Sequence, residues 1–303
     1  CCVTGVQTCA LPIYQMERIT VIGSGTMGTG IAYTAAISGF IVTVNDISET
    51  QLKKAQEQIY ELLDESLLKG FITKETFDDA KKNTFFELDF KQSVKDADLI
   101  IEAVLEKIDL KIDVFKRAEK YCPDHTIFAT NTSTMSPTEI GAQTSRPDKF
   151  IAMHFFNPVH KMKLIELVKG LDTSTETIDT IKEVAKKMNK EVVEVNEFPG
   201  FVTSRLNCLI GNEAMNMFME GIASAEDIDK AVKLGLGHPM GPLELADLVG
   251  LDSRLRNMEY LHQTLGEKYR PSPILVKYVK AGRYGRKNGQ GFYDYTNKKQ
   301  GDQ

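Results

Sequence analysis

The run Gly23-Ser24-Gly25-Thr26-Met27-Gly28 has the types and spacing of a turn that brings backbone against a phosphate. In such a turn Gly23 permits the tight bend, Gly25 lets the chain approach a pyrophosphate, and Gly28 lets the following helix lie close to the preceding strand. A helix opening there presents unpaired N–H groups and the positive end of its dipole to an anion. Asp46 stands at the end of the next β-branched run, where a carboxylate accepts ribose hydroxyls and repels a 2′-phosphate, which favours NAD over NADP. The competing reading is that Asp46 only caps a turn, with Asn45 beside it as a rival. Glycine spacing alone is weak; the strand before it, the helix after it and the acidic residue give it weight.

Those residues need a sheet to hold them. RITVIG, an apolar glycine-bearing stretch and FIVTVND form a βαβ unit. A helical pair over residues 48 to 82 follows, opened by Ser48 as N-cap, with its first helix stopped at Gly70. Strands resume in DLIIEAVLE, TIFATNTST, KFIAMHFFNP, KLIELVKG and EVVEVNE, with helices around 107–120 and 175–189. The alternation predicts an α/β Rossmann-like domain, its sheet mostly parallel, with the helical pair inserted. After Pro199-Gly200 no β-branched run returns and helical patterns dominate, with PLELADLVGLDSRLRNMEYLHQTLG as one long segment. The division is therefore a dinucleotide-binding domain over 16–198 and an all-α domain over 199–303.

Composition narrows the classes. The 303 residues are 42% hydrophobic and carry a net charge of -5, with lysines scattered in pairs such as Lys53-Lys54 and Lys186-Lys187. That leaves no basic footprint for nucleic acid. No apolar run reaches the ~18 residues of a membrane span.

The opening CCVTGVQTCALPIY holds three of the five cysteines and no charge. It lacks a basic n-region and is broken by Pro12, so it does not read as a secretory signal. Residues 3 to 13 instead resemble the translation of a DNA-sequencing adapter. Residues 1–15 are accordingly expected to be a non-native, disordered extension, with Met16 as the native start. Cys122 and Cys208 remain, without metal spacing, which suits a reducing cytoplasm.

Five stretches together resemble the short-form L-3-hydroxyacyl-CoA dehydrogenases, most of all the bacterial 3-hydroxybutyryl-CoA dehydrogenases: VIGSGTMGTGIA, ATNTSTMSPTEI, HFFNPVHKMKLIELV, GHPMGPLELADLVGLD and GRKNGQGFYDY. The resemblance runs from Arg18 to about Tyr295. It implies a Rossmann-like domain followed by a helical domain that binds substrate and forms a homodimer. It also implies NAD-linked oxidation of a short 3-hydroxyacyl-CoA to the 3-ketoacyl-CoA, or the reverse. Alternatives are another helical-capped NAD dehydrogenase acting on a sugar acid, or a non-catalytic NAD-binding relative.

The resemblance assigns His154 as base and pairs it with Glu166; neutral imidazole has the pKa nearest physiological pH. On periodicity alone His154, within IAMHFF, reads as a core histidine. Ser133 matches the family's serine at the substrate hydroxyl, with a helix N-cap as its rival role. Asn157 matches the residue near substrate and nicotinamide, although Asn before Pro is also a plain turn signal. Glu106, Lys111 and Asn131 fall on the cofactor side. Ser204 departs from the pattern, which has asparagine before Arg-Leu there, and Asn207, one helical turn on, could compensate. Lysines of the helical pair, such as Lys53, Lys69 or Lys74, could meet coenzyme A phosphates.

Overall fold

A computed structural model describes residues 16–296; the adapter-like opening and the last seven residues lie outside the described residues. The first part alternates β1 (Arg18–Ile22), α1 (Thr26–Ile37), β2 (Ile41–Asn45), α2 (Glu49–Leu68), α3 (Lys74–Lys82), β3 (Thr84–Glu87), α4 (Phe90–Val94), β4 (Leu99–Glu102), α5 (Ile108–Ala118), β5 (Ile127–Thr130), α6 (Pro137–Gly141), β6 (Phe150–Phe155), β7 (Leu164–Lys169), α7 (Thr175–Lys187) and β8 (Glu191–Asn196). Apolar β4 is buried at all four positions, as a parallel strand covered on both faces must be. The sheet order is β3-β2-β1-β4-β5-β6-β7-β8, parallel throughout except for the antiparallel β6–β7 pair. The chain winds outward from β1 through β2 to β3, then restarts at β4 on the other side of β1. The crevice beyond the carboxyl ends of β1 and β4 is therefore the switch point at which such sheets bind ligands.

Local signals explain most boundaries. Ser48 caps α2 by accepting from the Gln51 N–H, and Thr73 caps α3 by accepting from Thr76. Gly70 adopts φ +70° just after α2, as a stop signal requires. Two details differ from the sequence reading. β3 is an eighth strand, four residues long, too short to stand out between the end of α3 and the next helix. The segment beginning PLELADLVG is not one helix: Gly250, at φ +101°, breaks it into two.

The chain divides into two compact units: the first runs to Thr132 and resumes over Ser136–Glu197, and the second takes Ser133–Met135 and the chain from Phe198. The second unit contains α8 (Thr203–Met219), α9 (Ala225–Leu236), α10 (Pro242–Val249), α11 (Leu251–Leu265) and α12 (Pro273–Lys280) around Met215, Leu243, Leu251, Met258, Leu261 and Leu275, all fully buried. Two aspartates fasten its carboxyl-terminal stretch. Asp229 accepts from the N–H groups of Leu243 and Glu244 at 2.8 Å each and from the Tyr293 hydroxyl at 2.7 Å. Asp247 accepts from the N–H groups of Phe292 and Tyr293 at 3.0 Å each and from the Tyr295 hydroxyl at 3.2 Å. A Cβ at Gly291 would lie 2.0 Å from the Asp247 carboxylate, so the GFYDY stretch needs its glycine.

Burial, and then the Asp247 carboxylate, push the Tyr295 phenol up to about 12 from 10.0. A raised folded-state value contributes stability that is complete below the unfolded value and is lost as pH rises through the folded one. Melting temperature should therefore fall between pH 10.0 and about 12, and Tyr295→Phe should flatten that fall. Identical slopes in both proteins would contradict the assignment.

Candidate active site

The phosphate turn joins β1 to α1, and its glycines differ in what they do. Gly23 has φ +100°, and a Cβ there would lie 2.6 Å from the Ala103 carbonyl oxygen. A Cβ at Gly28 would lie 1.8 Å from the Gly23 oxygen. Gly25 is the exposed N-cap of α1, and a Cβ there would meet nothing within 4 Å. No side chain caps α1 and its first turn has no acidic residue. Its first N–H groups thus face the open side of a bare cradle, and the fit to a pyrophosphate is good.

Ser24 is buried, and its N–H and hydroxyl both donate to Asp46 Oδ2 at 2.9 Å, while Asp46 Oδ1 accepts from the Ser48 N–H at 2.9 Å. Asp46 therefore does cap the turn. A carboxylate has about four acceptor sites, so one remains for a ribose hydroxyl. Asn45 is no rival, because its side-chain amide is turned to the Glu87 carbonyl at 2.8 Å. Thr26 is exposed and Met27 half-buried at the mouth of the turn. Ile47 and Leu105, next to Asp46 and Glu106 in the chain, are 93% and 71% exposed.

At the end of β4 lies a buried ionic cluster. Lys111 Nζ meets Glu102 at 2.8 and 3.0 Å, Glu106 at 3.1 Å and the Asn131 carbonyl at 3.4 Å. Burial raises the Glu102 carboxyl and works against the Lys111 ammonium, but the Glu102 and Glu106 carboxylates around that ammonium hold Lys111 above its ordinary range. Glu106 is 35% exposed and also accepts from the Thr132 hydroxyl. The Asn131 side-chain oxygen accepts from the Phe155 N–H at 3.1 Å.

His154 and Glu166 are direct partners in the β6–β7 register, and His154 Nδ1 lies 2.8 Å from Glu166 Oε2. Glu166 is 1% exposed and His154 8%. The contact fixes which ring nitrogen faces the carboxylate. Asn157 is exposed just beyond β6, before a cis peptide to Pro158. Sequence reading missed Lys190, whose ammonium donates to the carbonyls of Val159 and Met162 and fastens that loop.

Other expected residues are placed as follows. Ser133 is half-buried and is not a helix cap; Ser136 caps α6 instead, accepting from the Glu139 N–H at 2.9 Å. Ser204 and Asn207 are half-buried on successive turns of α8. Lys53, Lys69 and Lys74 are exposed and each pairs with an acid one helical turn away.

A crevice built for a dinucleotide, in the same sheet as a buried histidine–carboxylate pair, defines a nicotinamide-dependent dehydrogenase. Residues 18–198 match the 3-hydroxyacyl-CoA dehydrogenase NAD binding domain and residues 200–295 the C-terminal domain of the same family, and the chain belongs to that family. It is 46% identical over 288 residues to the probable 3-hydroxybutyryl-CoA dehydrogenase of Bacillus subtilis (strain 168), covering 94% of this chain and 99% of that one. With the mitochondrial hydroxyacyl-coenzyme A dehydrogenase of Homo sapiens it shares 39% over 287 residues, 92% of this chain and 91% of that one. The crystal structure of (S)-3-hydroxybutyryl-CoA dehydrogenase from Ralstonia eutropha superposes with a TM-score of 0.89 at 39% identity, covering 93% of this chain and 100% of that chain. NAD is the cofactor. Among the described residues no helix is long and apolar enough to cross a membrane.

Proposed function

We propose that the protein interconverts a short-chain (S)-3-hydroxyacyl-CoA, 3-hydroxybutyryl-CoA above all, and its 3-ketoacyl-CoA. The observation that carries this is the His154–Glu166 contact of 2.8 Å within the sheet whose switch point carries the phosphate turn. NAD, held at the phosphate turn by Gly23, Gly25, Gly28 and Asp46, would supply the hydride acceptor for C3. His154 Nε2 takes the hydroxyl proton, and the Glu166 carboxylate, bonded through Nδ1–H, stabilises the imidazolium that forms. Glu166 sits fully enclosed, so its charge is little screened from the ring.

Ser133 holds the substrate hydroxyl and Asn157 lies by the carbon that loses hydride. Ser204 donates to the thioester carbonyl where relatives use an amide, with Asn207 in reserve. Residues 16–198 bind NAD, and 199–303 form the substrate and dimerisation domain of a cytoplasmic homodimer. Leu206 and Ile210, 56% and 39% exposed on α8, support a self-association face.

The test is kcat/KM for (S)-3-hydroxyacyl-CoA substrates of increasing length and for free 3-hydroxybutyrate, in wild type and Ser204→Ala. The four-carbon thioester should be used best and the free acid hardly at all, and Ser204→Ala should lower kcat several-fold. Preference for the free acid would contradict the substrate class; an unchanged kcat would remove Ser204 from the mechanism.

A further inference from the structure

Arg254 stands where the core of the helical unit calls for an apolar residue. The buried residues of α11 are Leu251, Arg254, Met258 and Leu261, one face at helical spacing, and Arg254 is 2% exposed among them. A guanidinium keeps its charge inside a protein, and a buried charge without a counter-charge is strongly destabilising. Its Nη1 donates to the Cys208 sulfur at 3.4 Å, and a thiol is a weak acceptor. Among the described residues Nε and Nη2 have no hydrogen-bond partner, and no carboxylate pairs with the group. Acids of the neighbouring elements are committed elsewhere: Asp252 to Lys287 at 2.8 Å, Glu244 to Arg286 at 2.8 Å and Glu267 to Arg270 at 2.7 Å.

Nε and Nη2 share the edge on which the N–H bonds of a guanidinium run side by side, the fork that takes one anion through two donors. A second buried polar group lies along the same turn of α8. The Ser272 hydroxyl, in a residue 1% exposed, also has no partner among the described residues. Its own N–H donates to Asn212 Oδ1 at 2.7 Å, while Asn212 Nδ2 donates to the Arg270 carbonyl at 3.0 Å. Cys208, Gly211 and Asn212 are buried within one turn of α8, so that turn packs against the guanidinium and the serine together. A Cβ at Gly211 would come within 3.9 Å of the guanidinium carbon and 4.0 Å of Nε, so the glycine keeps α8 clear of the fork. An ordered water would satisfy the three donors. It would not offset the charge.

We propose that the helical unit binds a small monovalent anion, chloride or one of its size, through the Nε and Nη2 fork of Arg254 with the Ser272 hydroxyl as third donor. One positive charge calls for one negative charge, and burial of both residues limits the ligand to about the size of a single atom. The site does not depend on NAD or on His154. The test melts the full-length protein in sodium gluconate, chloride and bromide at one ionic strength, and locates bromide by anomalous scattering in crystals soaked with it. Wild type should melt about 3 °C or more higher in saturating halide than in gluconate. Arg254→Met exchanges the buried charge for an apolar chain of similar length, so it should melt in gluconate no lower than wild type and gain nothing from halide. Ser272→Ala should gain less than wild type does. A bromide peak should lie within hydrogen-bonding distance of the Arg254 fork. Equal halide gains in wild type and Arg254→Met, or bromide peaks only elsewhere, would mean an adventitious ion only and overturn the proposal. Equal melting in all three salts would leave the fork to water and overturn it as well. If Arg254→Met does not fold, Arg254→Lys, which keeps the charge and loses the fork, decides: its halide gain should shrink, and an undiminished gain would count against the site.

Discussion

His154→Gln lowers kcat by about 10²–10⁴-fold, the usual contribution of a positioned base, and leaves the NAD dissociation constant within about twofold of wild type, because the cofactor contacts it leaves intact set that constant. Gln is close in size and polar, so the site between β6 and β7 is not emptied, yet it cannot take a proton near neutral pH. Glu166 then faces an amide at a position buried to 1% exposure. A buried carboxylate without its charged or polarised partner is penalised, so some loss of melting temperature accompanies the change. The informative quantity is the ratio: a turnover loss far beyond any loss of cofactor affinity places His154 in the chemical step.

The second large effect is on the cofactor. Gly28→Ala puts a methyl group 1.8 Å from the Gly23 carbonyl oxygen, a separation no side chain tolerates. The backbone of Gly23 cannot give way, since it is held at φ +100° against the Ala103 carbonyl. The start of α1 must therefore move away from β1, which splays the N–H groups meant for the phosphates. Losing two hydrogen bonds to charged oxygens, at roughly 1.5–3 kcal/mol each, corresponds to a fall in NAD affinity of about 100-fold or more. Overpacking also costs about 1–3 kcal/mol of stability. Gly25→Ala separates the two consequences: its methyl meets no protein atom within 4 Å, so melting temperature should hold while NAD binding is lost to the methyl in the phosphate's path. Isothermal titration of both variants reads the result. A Gly28→Ala protein that binds NAD as wild type does would refute the cradle.

What could be read from sequence was what local chemistry decides. The phosphate turn, the Ser48 cap and the Gly70 stop each depend on a few neighbouring residues, and the family resemblance supplied the pairing of His154 with Glu166. That pairing has no local signal, because it comes from the antiparallel register of β6 with β7, set across the sheet. Glu102 and Lys111 were opaque for a related reason. Nine residues apart, one at a strand end and one on a helix, they look like ordinary solvated charges until the fold closes over both. Lys190 was hidden likewise, since its partners are carbonyls of a loop that sequence cannot place against it. The break at Gly250 escaped because a glycine inside an apolar helical pattern is often tolerated; only its backbone angle shows the turn. Ser133 carried a helix N-cap as its rival role in the sequence, and the structure gives that cap to Ser136.

The most direct test of the dehydrogenase reading follows NADH and 3-ketoacyl-CoA together after (S)-3-hydroxybutyryl-CoA is added to protein and NAD, in wild type and His154→Gln. Wild type should form the two products in equal amounts, with His154→Gln slower by orders of magnitude at unchanged NAD occupancy. No NADH from wild type, or equal rates in the two proteins, would contradict the account.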